Sequence, residues 1–310
     1  MTRYGDPDSA ANGRPRLSLM NEDSYVWLSA TDTVRQVVAR SLEPGAVVSA
    51  HLASIDRHDP RVHAFVFVDH AASASPGPLS GVTLAVKDNL PVAGMPWTDG
   101  SAVWRDRIPD EDTVPVALAR AAGAAILGKT NLPELAAAVG TTNAIFPPTN
   151  NPWRTGFTPG GSSGGSAAAV GAGMAAVGMG TDMGGSIRIP ASCCGVVGLR
   201  PSPNRVPSES IDPAGLSVIG PIGKTVADVG LMFSVMAHSS APPPPSNHFR
   251  IGIADATALG LDVACADACR RAGDALESAG HRVERNDFYG DLFHLLSAGR
   301  HARAPGSPIV

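Results

Sequence analysis

The stretch GGSSGGSAAAVGAGMAAVGMGTDMGGSIRIP (160–190) sets the tightest limits on what this chain can fold into. A Gly/Ser loop (156–165) leads into an alanine-rich helix (167–177). A short strand at about 175–180 follows, and then a second glycine-rich loop at 181–190. A flexible linker would not be followed by so tightly packable a helix. The apolar run AAAVGAGMAAVGMG (167–180) is too short to span a bilayer. Aromatics are only 5% of the 310 residues, so the core must come from Ala, Val, Leu and Ile. The 34 glycines and 27 prolines predict many tight turns.

The rest of the chain alternates strands with helices. Apolar residues at helical spacing, interrupted by Glu43-Pro44-Gly45, predict two helices between Thr31 and Ile55. VHAFVFV (62–68) alternates like a strand, and VTLAV (82–86) is a short apolar strand. Thr113-Val114-Pro115 opens a helix that Gly123 closes, and AAIL (124–127) is a buried strand. After PPPP (242–245), a linker or stiff crossing, RIGIADA (250–256), a helix over 262–279 and HRVERNDF (281–288) make a β-α-β unit. The pattern predicts an α/β layered fold. Residues 1–28 read as a flexible extension, 29–296 as a single domain and 297–310 as a disordered tail.

A net charge of −4 creates no field for nucleic acid or an anionic membrane, so contact with neither is expected. The polar N-terminus lacks a secretory apolar stretch, which makes the cytoplasm the expected location. Cys193 and Cys194 are adjacent, and Cys265 and Cys269 are four apart. Neither arrangement is a strong zinc spacing, so small buried thiols are expected.

GAAILGKT (123–130) matches the G-x-x-x-x-G-K-[ST] pattern of a phosphate-cradling loop. Such a loop needs strand, turn and then helix. Here a helix precedes Gly123, the middle residues are apolar, and Pro133 leaves little room for a following helix. The reading is therefore helix, glycine stop, strand and exit turn. ATP with Mg²⁺ should not raise the melting temperature.

The two glycine-serine loops point to acyl chemistry. Ser162 and Ser163 each centre a G-x-S-x-G, but no strand precedes them as a nucleophile elbow requires. Glycines before Ser186 let backbone N–H groups turn toward one point, as an oxyanion hole requires. A serine nucleophile needs a base, and no histidine lies between His70 and His238. A triad assembled from a distant histidine stays open. Lys87, at the end of a buried strand, is the other candidate, since burial lowers a lysine's pKa.

Lys87 in AVKDN, Ser162-Ser163 in PGGSSGGSA and Ser186 in GTDMGGSIRIPA resemble the amidase signature family. Seventy-five residues separate Lys87 from Ser162, and 24 separate Ser162 from Ser186. AGAAILGKTNLPE, NPW (151–153), CGVVGLRPS and GPIGKTVAD (220–228) are similar to the family too, so the resemblance covers residues 30–240. It implies a central mixed β-sheet with helices on both faces. It also implies a Ser-Ser-Lys triad with Ser186 as nucleophile, Ser162 as bridge after a cis Gly161–Ser162 bond, and Lys87 as base. Met183, Gly184 and Gly185, with Ser186 itself, are the implied oxyanion-hole donors. Ser163 supports Lys87 or the loop, and Asp182 and Arg188 brace the second loop. The implied activity is hydrolysis of a carboxylic amide through an acyl-enzyme, with no metal or organic cofactor. Family chains are longer, so the domain is expected to be incomplete at its C-terminal side, with a homodimer as one consequence of an open edge. Two alternatives remain beside a stand-alone amidase: an inactive truncated remnant, and the glutaminase (A) subunit of a tRNA-dependent amidotransferase.

Overall fold

A computed structural model describes residues 22–207, 215–238, 248–254 and 262–286. In chain order they form α1 (Glu22–Tyr25), α2 (Ala30–Val38), α3 (Pro44–Val62), β1 (Phe65–Val68), β2 (Thr83–Lys87), α4 (Val114–Ala121), β3 (Ala125–Thr130), α5 (Gly164–Gly171), β4 (Val177–Asp182), α6 (Arg188–Cys194), β5 (Val197–Gly198), β6 (Val218–Gly223), α7 (Val226–Met236), β7 (Arg250–Ala254), α8 (Val263–Ser278) and β8 (Arg282–Asn286). The chain forms two compact units, Met1–Ala241 and Pro242–Val310. The sequence pattern predicts one domain over 29–296. The division falls at the PPPP run, whose residues have no N–H to continue a helix or ladder.

The first unit holds a six-stranded mixed sheet in the order β1-β3-β2-β4-β6-β5. β2 runs parallel to both β3 and β4, and the other pairings are antiparallel. Alternation along the strands divides the core between two faces. Leu84 and Val86 join Val116 and Ala119 of α4 and Met232 and Met236 of α7. Ala85 joins Val48 and Ile55 of α3 and the alanines of α5 on the other side. This is the layered α/β sheet with helices on both faces that the sequence implied. In the second unit β7 and β8 pair in parallel across α8, the expected β-α-β unit. Among the described residues, no helix is long and apolar enough to cross a membrane.

The small-residue stretch explains how α5 sits so close to the sheet. A Cβ on Gly178 would lie 3.2 Å from Ser166, and one on Gly180 would lie 2.6 Å from Ser163 Oγ. Gly180 therefore has no room for a side chain against the start of α5, and Gly178 has only a tight fit against its Ser166. The helix begins at Gly164 and ends at Gly171, earlier than the expected 167–177.

Four expectations need correcting. β3 continues through Gly128-Lys129-Thr130, so GKT is strand and not an exit turn. Gly128 sits at a bulge, where a Cβ would lie 2.1 Å from Phe67 O, and this close approach is what requires the glycine. The loop expected over 181–190 is β4 as far as Asp182, then a tight turn, then α6. Pro190 falls in the first turn of α6, where a missing N–H costs nothing. Residues 22–28 are not an extension: Val26 is buried, and Lys224 Nζ donates to the carbonyls of Val26 and Leu28. Residues 1–21, the PPPP run and the tail 297–310 lie outside the described residues. Finally, only Cys194 is a buried thiol. Cys193 is exposed, and so are Cys265 and Cys269, which share an open face of α8.

Candidate active site

The parallel strands β2 and β4 both end at polar side chains that meet. Lys87 is the last residue of β2 and is wholly enclosed. Its Nζ lies 2.7 Å from Ser162 Oγ and 2.8 Å from Thr181 Oγ1. Burial lowers the Lys87 pKa to about 7, with Asp99 and Asp182 opposing part of that fall. Asn89 Nδ2 also donates to Thr181 Oγ1, at 3.1 Å. Two N–H groups thus converge on one hydroxyl. With Lys87 neutral, its lone pair is left for the Ser162 hydroxyl.

Ser162 is buried, and the Gly161–Ser162 peptide bond is cis. The loop before it is held from outside: Thr141 Oγ1 donates to Gly160 O at 2.7 Å, and Gly161 lies against the Val139 carbonyl. Ser163 supports the loops rather than Lys87. Its N–H donates to Ser186 O at 3.0 Å, and its hydroxyl donates to Thr181 O at 3.2 Å. One hydrogen bond therefore ties the Ser186 main chain to the residue after Ser162.

Ser186 is half-buried in the turn between β4 and α6. Asp182 organises that turn. Its carboxylate accepts from Gly185 N (2.7 Å), Ile187 N (3.1 Å) and both Arg188 Nε (2.9 Å) and Nη2 (3.0 Å). Arg200 Nε adds a third guanidinium nitrogen at 3.7 Å. Burial pushes this carboxyl up, but Arg188 and the two backbone N–H groups outweigh it and hold Asp182 at about 2. Gly185 has φ +120, and a Cβ there would lie 2.7 Å from Ile189. Since the Gly185 N–H is given to Asp182, the Met183, Gly184 and Ser186 N–H groups are those without a hydrogen-bond partner among the described residues.

Sequence reasoning missed two features here. Thr181 is a direct partner of Lys87, and its only sequence signal is its place beside Asp182 in GTDMGGS. Lys129 and Asp88 form a fully buried ion pair at 2.9 Å, and Lys129 Nζ also donates to Pro96 O at 2.7 Å. The lysine of the false phosphate loop is thus committed to the residue next to Lys87.

The family model described as Amidase matches residues 46–295. The chain is 39% identical over 227 residues to the glutamyl-tRNA(Gln) amidotransferase (A) subunit of Carboxydothermus hydrogenoformans, covering 68% of this chain and 47% of that protein. It is 38% identical over 245 residues to an acylamidase of Rhodococcus erythropolis, covering 73% of this chain and 51% of that one. The solved structure of the glutamyl-tRNA(Gln) amidotransferase (A) subunit from Thermotoga maritima superposes with a TM-score of 0.75 at 28% identity, over 91% of this chain and 68% of that one. The chain spans about half the length of the two sequence relatives.

Proposed function

The chain belongs to the amidase signature family, and on that premise we propose that it hydrolyses a linear carboxylic amide through an acyl-enzyme on Ser186. The observation that carries this reading is the fully enclosed Lys87 Nζ at 2.7 Å from Ser162 Oγ, with a pKa near neutrality. A general base works best with a pKa near the working pH. Ser186 Oγ attacks the carbonyl carbon and passes its proton to Ser162 Oγ. Ser162 passes its own proton to the Lys87 lone pair. The N–H groups of Met183, Gly184 and Ser186 receive the developing oxyanion, each such donor being worth about 10²–10³ in rate. Collapse returns the proton to the leaving nitrogen and expels ammonia or an amine. Water then attacks the acyl-enzyme through the same relay and releases the acid.

Fluorophosphonate labelling with peptide mass spectrometry tests this. Modification at Ser186 that disappears in Ser186→Ala and falls sharply in Lys87→Ala is the expected result. A folded chain that takes no label at Ser186 overturns the reading in favour of an inactive remnant. A second reading is favoured by the relatives named as amidotransferase (A) subunits: a glutaminase component that works only with partners. Turnover of small amides by the isolated chain argues against it. Turnover of glutamine only when partner subunits are added argues for it.

A further inference from the structure

The loop 98–101 folds directly over the end of β2. Thr98 donates to Asp88 Oδ2 from its N–H (3.0 Å) and its hydroxyl (2.5 Å), and the Asp99 N–H donates to Asp88 O at 3.4 Å. Asp99 takes a left-handed backbone, φ 50, and its carbonyl accepts from Leu135 N at 2.9 Å. Leu135 and Ala136 are left-handed as well. Two strained turns are thus tied by one hydrogen bond, and such strain gathers where surroundings enforce it.

The distribution of charges gives that placement a meaning. The relay creates an ammonium on Lys87, whose hydrogen-bond partners are the neutral hydroxyls of Ser162 and Thr181. A buried ammonium needs an anion nearby. Asp88 is paired with Lys129 at 2.9 Å. Asp182 is paired with Arg188 and lies 3.7 Å from Arg200. Glu134 accepts from Ser101 Oγ at 2.8 Å. Arg107 faces Asp99 as well, but its guanidinium is stacked on Trp97 (3.4 Å) and Trp104 (4.4 Å), and its Nε donates to Trp97 O. The Asp99 carboxylate forms no ion pair among the described residues, and its buried Oδ1 accepts no hydrogen bond there.

We propose that Asp99 is the counter-ion of the Lys87 ammonium formed in the relay, a positioning residue that acts through Lys87 without touching the substrate. The inference rests on the amide-hydrolysis reading above. Burial raises the Asp99 carboxyl while the charge of Lys87 pulls it back down, and Asp99 in turn raises Lys87. No atom beyond the relay is needed: the Ser186 O–H bond breaks, the Ser186 O–C bond forms, and the proton gained by Lys87 balances the oxyanion.

The test follows the rate of fluorophosphonate modification of Ser186 against pH in the full chain, in Asp99→Asn and in Asp99→Gly. Asn and Gly are the residues that best tolerate a left-handed backbone, and melting curves check the fold. In the wild type the rate rises as Lys87 loses its proton. Without the Asp99 charge, Lys87 loses it more readily, so the rise moves to lower pH. The plateau falls as well, because a less basic Lys87 drives the proton transfer less strongly. A purely structural role moves the melting curve and leaves the pH profile in place. Folded variants whose profiles superimpose on the wild type overturn this assignment alone. No labelling of the wild type overturns the relay and the assignment together.

Discussion

Asp182→Asn is the sharpest test of how the second loop is built. The carboxylate is enclosed, accepts two backbone N–H groups and is bidentate to Arg188. Its pKa near 2 compares with about 3.9 in an unfolded chain. A difference of that size contributes about 2–3 kcal/mol at neutral pH. The folded pKa is depressed, so the stabilisation is present above the unfolded value and is lost as pH falls through about 2. Asn keeps the shape and one acceptor oxygen but loses the charge. Urea unfolding at pH 7 should place the variant about 2–3 kcal/mol below the wild type. The gap should shrink steadily between pH 4 and pH 2, because protonation does to the wild type what the substitution did to the variant. A gap that stays constant across that window would show that Asp182 acts through packing alone and would refute the electrostatic argument.

Lys87→Met should cut Ser186 labelling by about 10²–10⁴, the usual contribution of a general base. It should also raise the melting temperature at pH 6, because burial penalises the ammonium below its folded pKa of about 7. Gly180→Ala puts a methyl 2.6 Å from Ser163 Oγ and should cost about 1–3 kcal/mol in urea unfolding, with slower Ser186 labelling as α5 is pushed off β4. Lys129→Met leaves Asp88 buried and unpaired, which should cost about 3–5 kcal/mol, and adding Asp88→Leu should recover much of it in the same assay.

What could be read in the sequence follows the range of the interactions involved. Helices and strands announced themselves through local spacing, and the strand carrying Lys87 was legible because its apolar run ends on a lysine. The glycines of 160–185 marked tight backbone but not its purpose. Gly178 and Gly180 serve the approach of α5, and only Gly185 answers to a left-handed turn near Ser186. α6 was hidden because Asp182, six residues before Arg188, organises its start. No local capping pattern spans that distance. The same carboxylate claims the Gly185 N–H, which no reading of GTDMGGS as a run of free donors could reveal.

Lys129 shows why the buried charges must be read together. Lys87 and Asp88 are adjacent in the chain, and an unpaired Asp88 would hold a neighbouring lysine in its charged form. The carboxylate is instead taken by Lys129 at 2.9 Å and by both Thr98 donors. Lys87 is left with hydroxyl partners, and the cost of its burial outweighs the charges of Asp99 and Asp182 and brings it to about 7. A lysine that mimics a nucleotide-binding residue in sequence thus has a different task in the fold. It occupies the acid that follows Lys87 in the chain, so that the lysine one strand away can give up its proton and accept another.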